Sequence, residues 1–279
     1  MSTVGTTLLL LPVAVAAGTL GALLGLGGGI ILVPVLLFVF HVPIHYALGA
    51  SLVSVIATSS GSAAAYVRDR LSNLRVGMFL EIATTAGAVS GAFLLGHIDA
   101  RVVEVIFALA LLSSTLGLGR QHDGEAPADV PEHPLAKRLR LGGDYYDSRL
   151  GANVSYRVAA VPAGLGVMYC AGVLSGLLGI GSGTFKVIAL DLCMRLPFKV
   201  STATSNFMMG VTAAASAGFY YAHGYINPGI SAPVALGVLI GATLGTRLMV
   251  RLRSATLRRI FVPVLIVAGL YMLLQGVGA

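Results

Sequence analysis

Apolar runs separated by short polar stretches cover most of this chain. The first half reads as five such segments, at roughly 8–24, 28–40, 47–67, 76–96 and 102–119, and the second half as five more, at roughly 158–178, 183–195, 200–222, 230–250 and 258–277. Most approach the roughly 20 residues of helix that a bilayer's hydrocarbon core takes. The second and seventh are short, and each begins at a glycine run, GLGGG at 25–29 and GIGSG at 179–183. The polar stretch 120–157 between the two sets is rich in charge and contains Gly142-Gly143 and Tyr145-Tyr146. It reads as a linker outside the membrane, with room for a short hairpin.

The pattern repeats at an offset of 154 residues. Gly25, Gly27 and Gly29 fall on Gly179, Gly181 and Gly183; Pro43 on Pro197; Ser51, Thr58, Ser62 and Tyr66 on Ser205, Thr212, Ser216 and Tyr220; Asn73 on Asn227; Gly87 and Gly91 on Gly241 and Gly245. The register holds without a gap from about residue 13 to 112. Chance does not preserve one offset through so many glycines and polar residues, so the chain contains an internal duplication. The expected architecture is an all-α integral membrane protein of ten transmembrane segments, arranged as two five-segment repeats with short or broken segments 2 and 7. Residues 1–119 form the first repeat, 120–157 the linker and 158–279 the second repeat. An odd number of crossings per copy inserts the second copy upside down, and inverted repeats are a signature of secondary transporters.

Composition agrees with a membrane setting: 56% of the 279 residues are hydrophobic and only 10% charged, against roughly 25% charged in an average soluble domain. The net charge of +7 does not indicate nucleic acid, because the basic residues sit in short loops between apolar segments. With all ten segments crossing, one side collects 16 of the 18 lysines and arginines, from Arg68, Arg70 and Arg75 through the linker to Arg258 and Arg259. Loop Lys and Arg mark the cytoplasmic side. The linker is therefore expected in the cytoplasm and both termini outside, in a plasma (inner) membrane. If segments 2 and 7 only dipped in and returned, this bias would vanish, which favours ten crossings.

Candidate chemistry gathers at the glycine runs. Glycine permits positive φ and a helix break, and a half-helix beyond the break points free N–H groups and its positive dipole end back at it, which suits an anion. Tight turns for helix packing would use the same glycines. Gly27, Gly28, Gly29, Gly181, Ser182 and Gly183 are thus candidate substrate contacts. Ser51, Thr58 and Ser62 share one helix face, repeated by Ser205, Thr212 and Ser216; such a stripe either bonds helices together or lines a polar path. Ser51, Thr204, Ser205 and Asn206 lie nearest the breaks, and Asn206 corresponds to Leu52. Lys186, whose counterpart is Leu32, lies three residues past Gly183 within an apolar segment. An intramembrane charge is a functional hypothesis by default, with snorkelling to the surface as the alternative. Asp191 is expected to pair with Arg195, four residues on, and Glu81 to pair near the interface beside Arg75, with proton coupling as its alternative role. The Gly87/Gly91 and Gly241/Gly245 pairs read as helix packing.

Enzyme and cofactor readings find no support. Ile30 stands where a dinucleotide fingerprint needs its third glycine. Cys170 and Cys193 lack metal-ligand spacing, and no clustered nucleophile, base or metal set is visible, so no cofactor is expected. The run GLGGGIILVPVLL, followed by VPIHYALGASL, resembles the sulfite exporter TauE/SafE family, and GIGSGTFKVIALDLCMRLPFKVSTATSNFMMGVTAAASAGF is similar to that family's repeated motif. The resemblance covers nearly the whole chain apart from the linker. It implies a permease for a small sulfur-containing anion such as sulfite or an organosulfonate, usually an exporter, although uptake also occurs in the family. An anion channel of the same architecture is the rival. The expected partners are the anionic substrate and the lipid bilayer. A coupling proton or ion is compatible with these residues, and the oligomeric state is left open.

Overall fold

A computed structural model describes residues 3–24, 27–120, 131–147 and 151–249, with short pairs of residues between 262 and 274. Gly25 and most of the tenth expected segment, 258–277, lie outside the described residues. Among the described residues, these helices and one hairpin follow in order: α1 (Thr3–Leu24), α2 (Gly29–Phe38), α3 (Ile44–Arg68), α4 (Leu74–Leu95), α5 (Ala100–Arg120), α6 (Pro134–Arg138), β1 (Gly143–Asp147), β2 (Ala152–Tyr156), α7 (Val161–Leu178), α8 (Gly183–Ile188), α9 (Phe198–Ala222) and α10 (Pro228–Met249), a π-helical turn (Ala189–Cys193) lying between α8 and α9. The protein is a mostly helical membrane protein. Helices α3, α4 and α7, and α10 over Pro228–Leu248, are long and apolar enough to cross a bilayer. The core is apolar, as in a soluble domain, but it also encloses polar stripes, and the outward faces are apolar too. Met78, Ile82, Val89 and Phe93 form an exposed apolar face on α4, as do Leu236, Ile240 and Leu244 on α10, while Ser51, Thr58, Ser62, Ser205, Thr212 and Ser216 are buried.

Contacts recur at the same offset as the residues. The Tyr66 hydroxyl donates to the Ala22 carbonyl at 3.0 Å, and the Tyr220 hydroxyl to the Gly176 carbonyl at 2.9 Å. Asn73 caps α4 by accepting from the Val76 N–H at 3.0 Å, and Asn227 accepts from the Gly229 N–H at 2.9 Å. Pro43 and Pro197 start α3 and α9 with nearly equal φ, −54° and −55°. The closest helix pairs match as well: α4 lies against α7, and α1 against α10. A Cβ on Gly87 or Gly91 would stand 2.2 or 2.0 Å from the Tyr169 or Val173 carbonyl oxygen; on Gly241 or Gly245 it would stand 2.1 or 2.6 Å from that of Val15 or Thr19. Only glycine lets the backbones come so near, and in lipid, van der Waals packing of this kind is a main source of helix association. Helices α3 and α9 run antiparallel. Asn206, early in α9, and Tyr66, late in α3, both donate to the Ala22 carbonyl, while the end of α9 at Tyr220 and the start of α3 at Leu48 both flank Gly179.

The linker is more than a tether. Its two strands pair antiparallel, Tyr145 opposite Val154, so this part of an otherwise helical chain is a β-hairpin. Ala136, Leu141, Tyr145, Tyr156 and Val158 join one apolar cluster with Val76 and Leu80 of α4, Met168 of α7, and Val200 and Met208 of α9. Asn73 fastens it, its side-chain amide donating to the Leu141 carbonyl at 2.7 Å and to the Tyr156 hydroxyl at 2.9 Å. Burial pushes the Tyr156 phenol up to about 12, the Asn73 bond opposing and Asp144 adding to the rise. Arg75 turns to the linker as well, donating to the Arg140 carbonyl at 3.2 Å.

Candidate functional site

Both glycine runs break the chain. Gly27, Gly179 and Gly181 have φ of +72°, +61° and +69°, and Ser182 adopts +46°. Beyond the breaks, α2 has ten residues, and α8 six before its π turn. Ten residues of helix reach about 15 Å, half of a hydrocarbon core about 30 Å thick. The breaks converge. Gly27 lies against Val55 and Met209, and so does Gly181. Val55 and Met209 are each the twelfth residue of a 25-residue helix and are counterparts in the repeat. The two interruptions therefore meet at mid-height between α3 and α9.

The residues singled out in the sequence divide into those the structure joins at the crossing and those it employs elsewhere. Gly29 packs on Ser51, whose hydroxyl donates to the Gly179 carbonyl at 2.7 Å, tying the first copy to the break of the second. The Gly28 N–H approaches the Thr58 hydroxyl oxygen at 3.4 Å. Ser205 donates to the Gly183 carbonyl at 3.2 Å. Asn206 donates to the Ala22 and Thr202 carbonyls, both at 3.1 Å, and its side-chain oxygen has no protein partner. The hydroxyls of Ser182, Thr184 and Thr202 are likewise buried without a partner. Thr204 is engaged away from the crossing, accepting from the Asn73 N–H at the foot of α4 at 3.0 Å. Much of each serine–threonine stripe is satisfied locally: Thr58 and Ser62 donate to the Ser54 and Thr58 carbonyls four residues back, and Ser216 to that of Thr212. Such back-bonding needs no neighbouring helix.

Lys186 does not snorkel. It is fully buried, and its ammonium donates to the Thr212 hydroxyl oxygen. Thr212 lies 2.5 Å from Oε1 of Glu81 and 3.0 Å from the Met208 carbonyl, so its single proton serves one of the two at a time. This corrects the expectation for Glu81, which is 7% exposed and turned inward to α9 rather than paired at the interface. It stands seven residues into α4, about 10 Å along the helix. Thr85 also donates to Oε1, at 3.3 Å, while Oε2 has no partner. A buried charge needs a compensating one nearby, and a hydroxyl held between cation and carboxylate meets that need. The repeat carried a signal for this arrangement. At the offset of 154, Glu81 corresponds to Ala235 as Lys186 does to Leu32, so both charges break the symmetry, and both break it in the same place. Ser182, Thr184 and Thr202, with counterparts Gly28, Ile30 and Leu48, extend the asymmetry. One of two equivalent regions carries two charges and three added hydroxyls that the other lacks.

Comparison with known proteins agrees with a transport role. The profile of the family described as sulfite exporter TauE/SafE matches residues 10–272. The chain is 26% identical to the probable membrane transporter protein YunE of Bacillus subtilis over 96% of its own length and 98% of that protein's. It is 25% identical to the probable membrane transporter protein MJ0441 of Methanocaldococcus jannaschii, over 96% and 97%. No solved structure matches. Over all but its ends, this chain belongs to the sulfite exporter TauE/SafE family of membrane transporters.

Proposed function

We propose that this protein is a secondary transporter that carries a small sulfur-containing anion, such as sulfite or an organosulfonate, out of the cell by alternating access. The observation that carries the reading is the meeting of two broken segments at the middle of α3 and α9, two helices that correspond in sequence and run in opposite directions. Midplane sites formed by interrupted helices at a repeat interface are the expected place for substrate in inverted-repeat carriers. In this reading each copy, 1–119 and 158–279, crosses five times, the unwound residues before α2 and α8 completing crossings that the short helices only half span. Lys186, Ser182, Thr202 and Asn206 face the anion, with the backbone around Gly27–Gly29 and Gly181–Gly183 and the hydroxyls of Ser51 and Ser205 shaping the crossing. The substrate class rests on the family description, and outward transport on its usual direction.

Counterflow in proteoliposomes tests this. Vesicles loaded with unlabelled sulfite should accumulate labelled sulfite transiently, and external sulfite or a sulfonate, but not chloride, should compete. Saturable accumulation establishes a carrier and its substrate class. Flux that neither saturates nor shows counterflow means a channel. Absence of any flux with sulfur oxyanions, from folded protein, removes the substrate assignment.

A further inference from the structure

The buried pair Glu81–Lys186 has a consequence for the anion site, and the inference rests on the transporter reading above. While Glu81 is ionised, the Lys186 ammonium is already neutralised through Thr212. An anion entering then meets no net positive charge, and it has to displace a carboxylate that is held in place. Once Glu81 takes a proton, Lys186 becomes an uncompensated cation in a site screened from water. An anion restores the lost compensation, and the unpartnered hydroxyls of Ser182 and Thr184 lie four and two residues before Lys186 at the start of α8. Two states result: Glu81 ionised with the site empty, and Glu81 protonated with the site filled. Each has the same net charge inside the membrane, whereas the mixed states carry an unpaired buried charge.

We propose that Glu81 is a proton-binding site coupled to the anion at Lys186, so that one proton and one monoanion are bound, and cross, together. The proton adds to Glu81 Oε2, the oxygen that has no partner; no covalent bond to the anion forms. The lysine sits on the six-residue α8, between a glycine break and a π turn, and the carboxylate on the long, closely packed α4. A shift of α8 therefore parts or joins the pair.

The other ionisable groups on the elements around the pair are placed differently. Tyr169 and Cys170 on α7 are exposed, and Tyr220 donates to the Gly176 carbonyl. Asp191, Cys193 and Lys199 lie past α8 towards the arginine-rich end and are partly exposed, as is Glu104 on α5. Among the described residues, Glu81 and Lys186 are the two opposite charges that a single buried hydroxyl joins.

The test uses the full chain in liposomes with entrapped pyranine, together with sulfite-dependent thermal stabilisation in detergent between pH 5.5 and 8.5. Sulfite changes its own protonation over this range, so each variant is read as a ratio to wild type. In the wild type, protons should move with sulfite, and sulfite affinity should fall by up to about tenfold per pH unit once Glu81 is ionised. In Glu81→Gln the carboxyl is fixed in its neutral form; the protein-dependent part of the pH response should disappear and sulfite-driven proton movement with it. Glu81→Gln with Lys186→Gln restores the uncharged state of the equivalent region and should fold but show no stabilisation by sulfite. Net sulfite uptake by the wild type down its own gradient without proton movement, or a Glu81→Gln protein that still moves protons with sulfite, overturns the coupling and leaves the carrier reading standing. Absence of wild-type counterflow instead removes the substrate. The wild-type proton measurement decides the matter even where Glu81→Gln does not fold.

Discussion

At the scale of single residues, the membrane core is organised by what glycine omits. A Cβ on Gly176 would stand 1.9 Å from the Ala88 carbonyl oxygen and 2.7 Å from its carbon, both backbone atoms that cannot swing aside. Gly166 on the same helix has nothing within 4 Å. Gly176→Ala should force α7 from α4 and destabilise the protein by about 2 kcal/mol or more, visible as a lower unfolding temperature in detergent. Gly166→Ala should leave that temperature unchanged or raise it slightly, since alanine is the better helix former. Equal behaviour of the two variants would contradict the close approach of α4 and α7. The polar residues divide in a similar way. Ser62 and Ser216 bond back to their own helices, whereas Thr212, at an equivalent stripe position to Thr58, carries the bridge between two charges.

At the scale of elements, the breaks before α2 and α8 differ in how tightly they are held. Gly181 combines φ of +69° with a Cβ direction that ends 2.5 Å from Val55 Cγ1, while at Gly27 the nearest contact is 3.2 Å, to Val55 Cγ2. Alanine at either position meets strained backbone, at roughly 1–2 kcal/mol, but the contact with Val55 is tighter by far at Gly181 than at Gly27, where a small adjustment relieves it. Gly181→Ala should lower the counterflow rate more than Gly27→Ala, with both proteins still reaching the membrane. Restoring space by Val55→Ala should recover part of the Gly181→Ala loss and little of the Gly27→Ala loss. A rate unaffected by Gly181→Ala would separate the break from transport.

At the scale of the whole molecule, orientation is the open consequence of the arginine distribution. The hairpin, α6 and the starts of α4 and α9 form one end of the molecule, which also carries Arg68, Arg70, Arg75, Arg138 and Arg140. His41, before α3, lies at the other end. In a cysteine-free background, His41→Cys should react with an impermeant maleimide applied to intact cells, and Glu132→Cys only after the cells are opened. The reverse pattern would invert the topology proposed above. It would also reverse the side to which the linker, fastened through Asn73 and Tyr156, belongs.

The sequence by itself determined the helical membrane class, the repeat, the breaks and the family, because each depends on local properties: the length of apolar runs, the conformational freedom of glycine, and identity at a constant offset. It also marked Lys186 as a charge without a counterpart. The partner of that lysine was a matter of tertiary structure. Glu81 lies 105 positions away in the other copy, and its neighbour Arg75 offered a nearer ion pair that the fold instead assigns to the Arg140 carbonyl. The rotation of α4 against α9 turned Glu81 inward, and the packing of α8 on α9 brought Lys186 to Thr212. Thr204 shows the converse: its place in the chain put it near the break, but the start of α4 takes its hydroxyl. Sequence spacing fixes which face of one helix a side chain occupies, whereas which helix stands opposite is decided by backbone approach, here through glycines whose missing Cβ atoms set the distance.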